Sequence, residues 1–78
     1  MSKYEKLLER IANLDKGLSF DELAKVLEKN GYIARNNGTS HYTFRKANTQ
    51  KITIPRHKPL NVVYIKLVKE VLEKEGIL

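Results

Sequence analysis

Apolar positions recur along this chain with two different periods. Tyr4, Leu7, Leu8, Ile11 and Leu14 fall at helical spacing with Lys and Glu between them, which predicts a first helix broken over Asn13–Gly17. Ser19 and Glu22 form a capping-box pattern, in which each side chain can satisfy the other's backbone N–H, and Leu18 with Leu23 supplies a hydrophobic staple. Phe20, Leu23, Ala24 and Leu27 line one face of this second helix, and Asn30-Gly31 marks its left-handed end. After Gly31 the period becomes two.

Tyr32-Ile33-Ala34-Arg35 reads as a short strand and Asn36-Asn37-Gly38 as a hairpin turn. In Thr39-Ser40-His41-Tyr42-Thr43-Phe44-Arg45, alternation sets Tyr42 and Phe44 on one face and His41, Thr43 and Arg45 on the other. A turn at Ala47-Asn48-Thr49 leads to Lys51-Ile52-Thr53-Ile54-Pro55, where Ile52 and Ile54 are apolar and Lys51 and Thr53 point the opposite way. Pro55 suits a strand's end. A last helix over about 61–75 carries Val62, Ile65, Val68 and Leu72, widened by Tyr64 and Val71, and stops at Gly76.

This order, helix–helix–strand–strand–strand–helix, predicts an α+β fold with a three-stranded antiparallel sheet and helices on one face. The opposite face then holds His41, Thr43, Arg45, Lys51 and Thr53 together in solvent. With no internal repeat or Pro/Ser-rich linker, residues 1–78 are expected to form one continuous domain.

Charge sharpens this picture. Among the 78 residues, positions 29–69 hold nine basic residues and no Asp or Glu, so that the middle carries +9 and the flanks −3. A segment this one-sided repels itself, and folded segments that tolerate such repulsion usually meet a polyanion. The absence of cysteine excludes disulfides and cysteine-based zinc sites and points to a reducing setting. The longest apolar run, Val62–Ile65, is far short of the ~20 residues of a membrane span, and the start of the chain lacks a secretory leader. A cytoplasmic protein that does not engage membranes is expected.

Metal-dependent nucleases hold their ions with clustered carboxylates, which the middle of this chain lacks. Catalysis seated there is expected to need no metal or other cofactor. Cutting RNA is such a task, because the substrate's 2′-hydroxyl is an internal nucleophile. The protein must supply an acid–base group and cations for the phosphorane oxygens. His41 is the candidate acid–base residue, histidine being the side chain that ordinarily titrates near neutrality, at ~6.5. Arg45 and Lys51 are candidate phosphate clamps, with Lys46, Arg56 and Lys58 as outer contacts. Ser40 and the Gly38–Thr39 backbone are placed to orient substrate or imidazole. His57, beyond Pro55, is a further phosphate contact, whereas Tyr42 and Phe44 belong to the core and Tyr4 to a helix face.

Three segments match a family pattern. Phe20-Asp21-Glu22-Leu23 with Leu27-Glu28-Lys29-Asn30-Gly31-Tyr32 is similar to a helix of the form E-L-x-x-x-L-x-x-x-G-[FY]. Gly38-Thr39-Ser40-His41 resembles a G-S-H strand, and Ile52-Thr53-Ile54-Pro55-Arg56-His57 an I-T-[IV]-P-x-H segment. Together these resemble the HicA toxins, or YcfA-like mRNA interferases, over roughly residues 19–75. The resemblance implies a double-stranded-RNA-binding-domain-like core preceded by an extra helix over 1–17. It also implies a ribonuclease whose strand histidine, here His41, is needed for cleavage. The implied partners are mRNA and a HicB-type antitoxin that covers the active face, the toxin being monomeric when free and hetero-oligomeric when inhibited. Here Thr39 intervenes in the motif and Tyr42 stands where a second histidine is common. On the residues alone, a non-catalytic module for structured RNA and a docking surface for an acidic protein remain alternatives.

Overall fold

The computed structural model describes residues 2–36, 38–49 and 51–78, so that Asn37 of the expected hairpin turn lies outside the described residues. Its elements are α1 (Lys3–Ala12), α2 (Phe20–Lys29), β1 (Ile33–Asn36), β2 (His41–Arg45), β3 (Ile52–Pro55) and α3 (Val62–Lys74). This is the α+β order read from the periodicities.

The start of α2 follows the sequence pattern closely. Ser19 Oγ accepts from Glu22 N at 3.2 Å while Ser19 N donates to Glu22 Oε1 at 2.9 Å. Such a cap satisfies backbone donors that the helix itself leaves orphaned. A second capping box, Ser2 with Glu5, opens α1 and was not anticipated. The first helix stops at Ala12 because Leu14, with φ of 52°, lies in the left-handed region and cannot continue it. Arg10 fastens this corner, its Nε 2.8 Å from Asp15 Oδ2 and its Nη1 2.7 Å from Glu22 Oε2.

The sheet is an antiparallel meander in the order β1-β2-β3. In its register Ala34 faces Phe44, Arg35 faces Thr43, Thr43 also faces Thr53, and His41 faces Pro55. One side of the sheet is apolar, and α2 packs against β1, α3 against β3 and α1 against both helices. Phe44, Ile52 and Ile54 meet Leu23, Val26, Leu27, Ile65, Val68, Leu72 and Ile11 in a core where each is fully buried. Phe20 caps its edge, 4.9 Å from the Tyr42 ring and 6.0 Å from that of Phe44. Phe44 is thus a core residue and Tyr42 packs half-buried against the core, on the side alternation implies.

Two placements differ from the sequence reading. Thr43 stands on the outer face yet is only 6% exposed, flanked on the central strand by Arg35 of β1 and Thr53 of β3. Tyr32 precedes β1 instead of starting it and is buried beneath the C-terminal end of α3. Among the described residues no helix is long and apolar enough to cross a membrane.

Candidate functional site on the open sheet face

The uncovered face has two ends. One is built around His41, the first residue of β2, which is exposed. The approach to it is an Asx turn: Asn36 Oδ1 accepts from Gly38 N at 2.7 Å, and Asn36 Nδ2 donates to the Thr39 carbonyl at 2.8 Å. Gly38 has φ of +81°, a conformation that side chains disfavour, and the space beside it is open. The turn sets the Thr39 hydroxyl against the histidine. Thr39 Oγ1 accepts from His41 N at 3.1 Å and lies 3.4 Å from the imidazole Nδ1.

Thr39, the first of the two residues between the glycine and the histidine, therefore touches the ring through its side chain. The sequence pattern points to Ser40 and the Gly38–Thr39 backbone as the orienting groups. Ser40 is exposed, and its carbonyl accepts from Arg56 N at 2.7 Å, which extends the β2–β3 ladder past Pro55. This bond brings Arg56, expected as an outer contact, to the histidine end. Its guanidinium lies 5.7 Å from the Phe20 ring centroid and 3.5 Å from Asp21 Oδ1. With both partners more than half exposed, that ion pair is worth at most about 1 kcal/mol. Several of the five guanidinium N–H donors stay open to an anion.

The other end lies about 13 Å away, four residues along β2. Here Ile33, Arg35, Thr43, Arg45 and Lys51 line a concavity of about 890 Å³, closed at one end by Gly31, Lys46 and Ala47. Among the described residues no carboxylate pairs with Arg35, Arg45 or Lys51. Arg45 and Lys51 thus come together but stand apart from His41. Arg35 joins them, although the sequence reading did not single it out. Its signal was the inward Ala34, which turns Ile33 and Arg35 outward together. Ile33, at the start of the edge strand β1, is 72% exposed and lines this basic surface.

Lys46 is engaged on the other side of the sheet edge. Its Nζ donates to Glu75 Oε1 and, at 3.0 Å, to the Asn30 carbonyl, and it lies 4.9 Å from the Tyr32 ring centroid. The Tyr32 hydroxyl donates to Glu75 Oε2. Burial acts to raise the Glu75 pKa, but the hydrogen bonds from Lys46 and Tyr32 outweigh it and hold the carboxyl below its usual range. Tyr32 moves up, through burial and then through its bond to Glu75. Lys46 is thereby spent on joining β2 to the end of α3. His57 and Lys58 are exposed in the loop after β3, just beyond Arg56. Among the described residues no three His, Asp or Glu side chains come together in a way that could hold a metal ion.

A layer of helices behind a sheet whose free face carries one histidine and a run of uncompensated cations defines a small basic α+β protein built to meet a polyanion. The family model described as the HicA toxin of bacterial toxin–antitoxin matches residues 20–77, and the chain belongs to that family. Its members are the toxins of toxin–antitoxin systems, generally mRNA-cleaving endoribonucleases that bind RNA and an antitoxin. The match begins at the first residue of α2, leaving α1 outside it. No curated protein and no solved structure matches the chain.

Proposed function

We propose that this protein is an endoribonuclease toxin that cuts mRNA without a metal, with His41 as its catalytic residue. The observation that carries the reading is an exposed imidazole whose Nδ1 faces the Thr39 hydroxyl, at the end of a cation-lined sheet face. Held by Thr39, the ring keeps Nε2 for the substrate. That nitrogen takes the proton of the ribose 2′-hydroxyl as its oxygen bonds to phosphorus and the bond to the 5′-oxygen breaks. The departing oxygen takes a proton from solvent, which reaches this exposed position. A 2′,3′-cyclic phosphate and a 5′-hydroxyl result. Arg56 donates to the non-bridging oxygens as charge develops on them, the place where electrostatic stabilisation counts most.

Family membership supports the toxin role and an antitoxin in general. An acidic HicB-type protein that covers this face would both block His41 and neutralise the cations beside it. The test is a digestion of mRNA in EDTA by the wild type and by His41→Ala. Cleavage by the wild type alone is the expected result. Cleavage that survives the substitution, or that EDTA stops, refutes the assignment. If neither protein cuts RNA but both bind it, the chain is an RNA-binding module, a reading that the concavity far from His41 favours.

A further inference from the structure

We infer that the Arg35–Arg45–Lys51 concavity is a track for single-stranded RNA, binding phosphates remote from the one cut at His41. This rests on the reading of the chain as an RNA-cutting toxin. The three cations have no carboxylate partner among the described residues, although Asp21 and Glu75 fold back to engage Arg56 and Lys46. They share one continuous face with His41, since alternation along β2 puts His41, Thr43 and Arg45 on the same side. A strand whose cleaved phosphate lies at His41 and which follows β2 reaches Arg45 about 13 Å later.

Attack by a 2′-hydroxyl in line with the departing oxygen requires a nucleotide displaced from helical geometry, so the segment at His41 is unpaired. The face that receives it spans only three strands, about 10 Å between the outer two, which suits one backbone. Affinity here is electrostatic, because among the described residues no aromatic ring lines the concavity to stack bases. Ile33 offers apolar contact to a sugar or base between the charges. Such a track holds RNA with little regard to sequence.

The probe is a labelled ten-nucleotide single-stranded RNA with 2′-O-methyl groups throughout, which cannot be cut because its nucleophile is blocked. Binding is measured by fluorescence anisotropy at several KCl concentrations. Three phosphate contacts in the track and a fourth at Arg56 give a slope of log affinity against log salt of about −2.8 for a single strand. Arg45→Gln/Lys51→Gln is expected to weaken binding about tenfold or more at low salt and to shrink the slope to about 1.4 in magnitude. Lys3→Gln/Lys25→Gln removes the same charge from exposed positions of α1 and α2 and keeps the wild-type slope.

If the first double variant misfolds by circular dichroism, Lys51→Gln alone carries the test, with a slope reduced by about 0.7. Unchanged affinity and slope in these variants overturn the track and leave the concavity to an acidic protein segment. Equal losses in the α1/α2 control also overturn it, as does tighter binding to the same sequence in a duplex. Binding with the expected slopes by a protein that cuts no RNA upholds the track and refutes the cleavage reading instead.

Discussion

Replacing Lys46 by Met keeps the aliphatic stem and removes the ammonium, which separates a structural role from an RNA-binding one. The Lys46 and Glu75 side chains are 25% and 15% exposed, between the surface and buried limits. Exposed pairs are worth about 0.2–1 kcal/mol, whereas breaking a buried pair costs about 3–5 kcal/mol. Lys46→Met also removes the donor that satisfies the Asn30 carbonyl. We expect a loss of about 2 kcal/mol, which for a chain of this size lowers the melting temperature by roughly 10 °C. Urea denaturation should show an earlier midpoint with an unchanged slope. Adding Glu75→Gln should restore part of the loss, because the stranded carboxylate is then gone. Below its melting temperature, the variant should keep most of its RNA affinity. A melting temperature within about 2 °C of the wild type would refute the structural assignment, and lost RNA binding at full stability would return Lys46 to the RNA contacts.

Other predictions concern pH, the histidine and the caps. Glu75 and Glu22 are held below the usual carboxylate range, so their stabilisation is complete above about pH 4.5 and is lost as pH falls through their folded-state values. Tyr32 is raised, so its share is complete below about pH 10 and lost above it. Urea midpoints against pH should form a plateau between these limits, and Glu75→Gln should flatten the acid side in part; an unaltered acid limb would sink this account. Thr39→Val should lower kcat for RNA cleavage about fivefold with little change in KM, and Thr39→Ser should restore it, because one hydrogen bond of about 1 kcal/mol positions the ring. Failure of serine to rescue would mean that the methyl group, not the hydroxyl, matters. Ser19→Ala should cost about 1 kcal/mol by thermal denaturation, with the helical far-UV signal retained in the folded state.

What the sequence made legible was local. The α2 start could be read because Ser19, Glu22, Leu18 and Leu23 lie within one helical turn and its approach. The two faces of β2 could be read because Tyr42 and Phe44 alternate with His41, Thr43 and Arg45. Contacts that depend on register or on distant chain were not legible. Thr43 is buried on the central strand, where Arg35 and Thr53 come opposite it from strands on both sides. Lys46 is occupied by a carboxylate 29 residues away, in a flank whose acidity looked unrelated to the basic middle. Thr39 reaches His41 through a turn built by Asn36, which spacing alone does not reveal. Arg35 was accessible in principle, but a strand of four residues gives alternation few positions to act on.

The meander described above also governs how fast the chain can assemble. Each strand pairs with its neighbour in sequence, so both hairpins close over short loops and incur little chain entropy. The helices are local by nature, and the late, distant events are the docking of α3 and its closure onto Tyr32 and Lys46. A mixed topology of this kind places the protein between helical bundles and all-β domains, with folding on the order of milliseconds. A chain released from a complex in an opened state would regain its sheet, and with it the spacing between His41 and Arg45, on that timescale.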